Sequence, residues 1–134
     1  MDIFFHDPSD IPLPPEEVHI RKLAARPYPD GRRVRVTLEI SPFQKRPSAE
    51  IRIQNAAGHT LASVTIIETI DPRMEMTLHL RGPQTVGEHI AKAELFYEEI
   101  PPLDEDGPTL QQRLDTQRTP VDQAEFRFEI GSKQ

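Results

Sequence analysis

The sequence predicts an all-β domain, an antiparallel two-sheet sandwich of about seven strands, and three observations carry that expectation. Hydrophobic residues recur with period two over stretch after stretch, the spacing that places every second side chain on one face of a pleated strand. Fourteen prolines stand against six glycines, and the prolines fall between the alternating runs, as runs that donate ladder hydrogen bonds require. With one exception the gaps are of turn length, so helical crossovers joining parallel strands do not fit.

The alternation is most informative in residues 83–98. Pro83 and Gly87 mark a turn, after which Ala91, Ala93, Leu95 and Tyr97 share one face and Ile90, Lys92, Glu94 and Phe96 the other. Small inward side chains let a second layer approach closely, so this run is expected to be the central strand of the sandwich.

The other elements follow in chain order. Residues 1–16 hold Ile3, Phe4 and Phe5 and then four prolines, and read as a proline-rich arm ahead of a single domain spanning 17–131. Val18, Ile20 and Leu23 form a first strand whose phase change near Lys22 implies a bulge. A Pro-Tyr-Pro-Asp-Gly turn leads to Arg33–Ile40, where Val34, Val36, Leu38 and Ile40 face inward. A short strand with Ile51 and Ile53 inward is joined by an Asn-Ala-Ala-Gly-His hairpin loop to a β-branched run from Thr60 to about Glu68. Asp71 and Pro72 end that run, and Met74, Met76, Leu78 and Leu80 then alternate inward. Residues 99–122 are the exception: a long acidic connection in which Thr109, Leu110 and Leu114 predict a short helix over 110–117. Residues 124–130 give a last strand, and 132–134 a polar tail.

Composition narrows the function. A chain of 134 residues with formal charge -6 lacks the basic surface that neutralises phosphates, so a nucleic-acid partner is not expected. Without cysteine there is no disulfide framework, thiolate nucleophile or thiolate metal site, in keeping with a reducing cytoplasm. No run reaches membrane-spanning length, so no membrane partner is expected and the predicted location is cytoplasmic.

In residues 87–91 the pattern resembles the immunoglobulin-like and fibronectin type III-like sandwiches. Gly87, His89 and Ala91 have the spacing of the small corner residue, the corner tyrosine and the second cysteine of that fold. The resemblance implies that His89 stands in the tyrosine's place and Ala91 in the cysteine's. With no tryptophan and no cysteine pair the chain is not an antibody-type domain, and the resemblance implies architecture without a specific activity.

Chemistry-bearing patterns are sparse. The five histidines, His6, His19, His59, His79 and His89, show no metal-ligand spacing, so no metal site and no cofactor are expected. His89 is expected to be a corner residue satisfied by backbone. No serine lies in a nucleophile setting, and the adjacent acids Asp104, Glu105 and Asp106 lack the spacing of a calcium loop. No catalytic residues are expected, and the chain is read as not an enzyme. Its predicted function is that of a protein-interaction or accessory module, through an unknown protein partner or self-association. The candidate surface is Ile3, Phe4 and Phe5 of the arm with Asp104, Glu105, Asp106, Leu110 and Leu114 of the acidic connection. The alternative is a sandwich that binds a small molecule or carbohydrate; an enzyme with an unrecognised site comes third.

Overall fold

The computed structural model describes residues 11–82, 86–99 and 117–131. It contains seven strands: β1 (Ile20–Pro27), β2 (Arg33–Ile40), β3 (Ser48–Asn55), β4 (Thr60–Ile66), β5 (Arg73–His79), β6 (Gly87–Glu99) and β7 (Gln117–Ile130). They form two antiparallel sheets, one ordered β1-β2-β5 and the other β4-β3-β6-β7. The predicted two-sheet antiparallel sandwich is therefore the observed fold.

Parity makes the core. Val34, Val36 and Leu38 of β2 face Ile51 and Ile53 of β3 and Ala91, Ala93 and Leu95 of β6, all essentially sealed from water. Burying each of the larger aliphatic side chains contributes about 1.5–3 kcal/mol. β6 lies inside its sheet, between β3 and β7, with the alanines on the inward face. The bulge expected in β1 lies between Ile20 and Lys22.

Two expectations change. Residues 117–122 were expected to belong to a strandless connection, yet β7 starts at Gln117 and contains Pro120. A proline is tolerated there because β7 is an edge strand and Pro120 adjoins the register shift between Leu95 and Phe96, where ladder bonding is already interrupted. The helix expected over 110–117 lies outside the described residues except for Gln117, which is strand. Phe96, assigned by parity to the outer face, is nonetheless fully buried, with the Arg118 guanidinium 4.2 Å from its ring centroid.

The two sides of the sandwich close differently. Where β1 meets β7, the Ile20 amide donates to Asp122 Oδ2 at 2.7 Å, joining the sheets through a side chain. Where β4 meets β5, the Arg81 amide donates to the Leu61 carbonyl at 3.0 Å. One end of the sandwich is plugged by residues 11–19: Leu13 pairs with Phe43, a turn of 3-10 helix covers Pro15–Glu17, and Val18 is buried. No helix among the described residues is long and apolar enough to cross a membrane.

Candidate functional site

The polar side chains that the sequence offers for catalysis are largely committed to the fold. Ser41 Oγ accepts from the His19 amide and Ser48 Oγ from the Glu68 amide, both at 3.0 Å. His19 Nδ1 lies 3.0 Å from the Glu17 carbonyl, and His59 and His79 are exposed on a turn and an outer face. Among the described residues no three His, Asp or Glu side chains gather where they can hold a metal ion. Ile3, Phe4, Phe5, Asp104, Glu105, Asp106, Leu110 and Leu114 lie outside the described residues.

The outer face of the four-stranded sheet forms a shallow hollow of about 210 Å³ over β3, β6 and β7. Its charges neutralise one another. Glu50 takes Arg52 at 2.8 Å and Arg118 at 2.6 Å, Glu94 accepts from Gln123 at 3.2 Å, and Lys92 lies 3.9 Å from Glu125. Burial by itself raises the Glu50 carboxyl pKa, but the hydrogen bonds from Arg118 and Arg52 outweigh it and hold the group below the ordinary glutamate range. On the three-stranded sheet, Glu75 is likewise held low, chiefly by the Arg35 hydrogen bond and then by Arg73. Such ladders brace the outer faces and leave little bonding capacity for a ligand.

A second hollow, of about 440 Å³, differs in this respect. It is lined by Ala56 from the β3–β4 turn, Glu88, His89 and Ile90 from β6, and Arg127, Phe128 and Glu129 from β7. Local chemistry fixes each wall. Asn55 Oδ1 accepts from the Ala57 and His59 amides, and Gly58 takes φ 86°, so the turn brings Ala56 beside the sheet. Gly87 opens β6 at φ 116°, a conformation that a side chain would strain. The β6–β7 register then sets Glu88 opposite Glu129, His89 opposite Phe128 and Ile90 opposite Arg127.

His89 is 1% exposed and stacks on Phe128 with centroids 5.5 Å apart. Its Nδ1 lies 2.8 Å from the Gly87 carbonyl, which can only accept, so Nδ1 is the donor there and Nε2 is left as the acceptor of that tautomer. The local bond to backbone is the one expected of the corner residue. Nε2, however, is the single buried side-chain polar atom without a hydrogen-bond partner among the described residues. Glu88 and Glu129 face each other across the ladder, a like-charge pair, and neither they nor Arg127 make an ion pair among the described residues. By parity His89 and Phe128 share the inward face of the sheet while Glu88, Ile90, Arg127 and Glu129 point outward, so the hollow meets the His89–Phe128 pair on one face and the two carboxylates, the guanidinium and Ile90 on the other. Only the register assembles this set, so the chain order gave no sign of it beyond His89 itself.

A third hollow, about 460 Å³, lies between β1, β2 and β7, with Lys22, Arg26, Arg35, Glu75 and Phe126 among its walls. Arg35 and Glu75 there are already bonded to each other at 3.1 Å.

No family model and no curated protein matches the sequence. Among solved structures, the chain is similar to a β-glucuronidase from Bifidobacterium dentium complexed with coumarin-3-O-glucuronide, at TM-score 0.47 and 19% identity, over 84% of this chain and 18% of that one. It is also similar to a β-glucuronidase from Ruminococcus gnavus in complex with D-glucuronic acid, at TM-score 0.45 and 14% identity, over 85% of this chain and 16% of that one. The chain spans less than a fifth of either enzyme's length, and the likeness is one of fold alone.

Proposed function

We propose that the chain is a non-catalytic β-sandwich of immunoglobulin-like type that binds a small hydroxyl-rich molecule, a saccharide in chemical class, in the hollow around His89. The carrying observation is the buried His89 Nε2, an acceptor with no donor among the described residues, at an end of the sheet whose outward face carries two carboxylates without an ion pair among those residues. Leaving such an acceptor unpaired costs about 1–3 kcal/mol, which a ligand hydroxyl recovers. Phe128, on the same inward face as His89, offers apolar surface to the C–H face of a sugar ring, while Glu88, Arg127 and Glu129 on the outward face meet only a ligand that curls round the strand ends. Because Nε2 is closed off from water, the ligand has to displace atoms at the rim to reach it.

The strand order supports the immunoglobulin-like part of the reading. It departs from the antibody constant arrangement in the fourth strand, which pairs with β3 instead of β5. His89 bonding to the Gly87 backbone is in keeping with a corner residue.

The test is titration of the full chain with D-glucosamine, D-glucose and D-glucuronate, followed by backbone amide NMR. Two carboxylates against one guanidinium favour the amine over the neutral sugar and the neutral sugar over the acid. Shifts confined to residues 88–90 and 127–129 are expected, with His89→Leu weakening binding by about tenfold, ~1.4 kcal/mol. Absence of shifts at these positions with all three sugars overturns the proposal. A second reading, the protein-interaction module, is favoured by a separate feature, the edge of β4.

A further inference from the structure

We infer that the β4 edge is a self-association surface, on which a second copy of this chain adds its own β4 antiparallel about a two-fold axis near Thr65. This goes beyond the ligand reading and uses none of its residues.

An edge strand presents a row of unpaired N–H and C=O groups, and proteins usually guard it with charge, proline or a covering segment. Three of the four edges here are guarded by charge. β5 carries Arg73 and Glu75, tied to each other at 3.2 Å and to Glu39 and Arg35 of β2. β1 carries Arg21, Lys22 and Arg26, and β7 carries Arg118, Asp122, Glu125, Arg127 and Glu129 along with Pro120. β4 has neither charge nor proline: the run Thr-Leu-Ala-Ser-Val-Thr-Ile-Ile from Thr60 to Ile67 is neutral throughout and rich in β-branched residues.

That edge is also open. β4 pairs with β3 alone, and beyond that ladder its one backbone bond among the described residues is the Leu61 carbonyl accepting from Arg81. Ser63 and Thr65 are exposed, and the connection leaving β4 holds Ile67 at 58% exposure and Ile70 at 78%. Four large hydrophobic residues are strongly exposed among the described ones, and two of them sit here. The Glu68 amide bonds to Ser48 Oγ and the Thr69 amide to the Pro47 carbonyl, so the chain turns away from the edge after Ile67. The free stretch therefore runs over residues 63–67.

Self-complementarity selects a second copy of the chain as the occupant, and the absence of charge permits it. A chain of formal charge -6 repels its own copy, and the repulsion is least across a surface that contributes no charge. A two-fold axis at Thr65 sets Thr65 against Thr65, Val64 against Ile66 and Ser63 against Ile67, β-branched or small pairs with no like charges opposed. Five paired residues make an interface below the standard size, so the dimer is transient.

The experiment is sedimentation of the full chain from about 10 μM to about 1 mM, the range in which transient contacts form. The wild-type mass should climb from 15.3 kDa toward twice that value. Thr65→Lys, which opposes two like charges across the axis on an exposed side chain, should remain monomeric, with association at least tenfold weaker. Ile67→Ser should weaken it severalfold, and His79→Lys on β5 should leave it unchanged. Should Thr65→Lys lose its β circular-dichroism signal, Ser63→Glu takes its place. A wild-type chain that stays monomeric throughout, or a folded Thr65→Lys chain that associates like wild type, overturns the inference. So does a monomeric chain whose edge accepts only an unrelated added peptide.

Discussion

The two ends of β6 are built from the same alternating pattern and finish in opposite states. At the end near Phe96, the polar groups of Arg118, Tyr97 and Asp122 are all paired. Arg118 lies over Phe96 while bonding to Glu50, Tyr97 donates its hydroxyl to the Lys45 carbonyl at 2.8 Å, and Asp122 takes the Ile20 amide. Burial raises the Tyr97 pKa, with a smaller push from Glu16, so the phenol stays protonated as that donor. At the end near His89, a buried imidazole keeps an acceptor without a donor among the described residues, and two glutamates oppose each other. The difference teaches that polar atoms left unpaired by one end of a strand mark a place for something else to bind, whereas a fully paired end is scaffold.

The comparison breaks most visibly at the closed end. Phe96→Ala removes a fully buried aromatic ring and the platform beneath Arg118, and chemical denaturation should show a loss of about 3–5 kcal/mol. Asp122→Ala strips the partner from the Ile20 amide and should cost about 1–3 kcal/mol, with Asp122→Asn losing less because an acceptor remains. His89→Leu, by contrast, trades an unpaired acceptor for an apolar group of similar size, and its cost should stay below about 1 kcal/mol despite the lost bond to Gly87. A buried histidine that unfolds the protein when replaced by leucine would erase the distinction between the ends.

Acid sharpens the same contrast. The Glu50 carboxyl titrates below its unfolded value, so its ion pairs contribute fully above the ordinary glutamate range of about 4.3 and drain away as pH falls through the lower folded value. Glu50→Gln should therefore flatten the acid limb of a stability-against-pH curve and leave the neutral limb parallel to wild type, as followed by urea midpoints. An acid limb unchanged by Glu50→Gln would show that Arg118 and Arg52 do not stabilise the ionised carboxyl.

Much of the fold was legible because parity and burial coincide. Val34, Val36, Leu38, Ile51, Ile53, Ala91, Ala93 and Leu95 were assigned inward by alternation and are buried. The first half of β7 was not legible: Pro120 reads as a strand breaker unless the strand is known to be an edge, and edge position is a property of the sheet. Phe96 was placed on the correct face but not recognised as buried, because its cover comes from Arg118, paired two strands away only after folding. The hollow was hidden for a similar reason. Glu88 and Glu129 are 41 residues apart in sequence, counting from 88 to 129, and meet only through the β6–β7 register. His89 was legible as a corner residue satisfied by backbone, which its Nδ1 is; that its other nitrogen has no partner among the described residues follows only from the folded packing.

The most direct measurement is the ring-nitrogen NMR spectrum of His89 in the full chain, recorded without and with D-glucosamine. The expected result is a proton on Nδ1, bound to the Gly87 carbonyl, with Nε2 at the shift of a bare acceptor that moves toward hydrogen-bonded values as sugar is added. A ring protonated at Nε2, or an Nε2 already hydrogen-bonded and indifferent to the sugar, would contradict it.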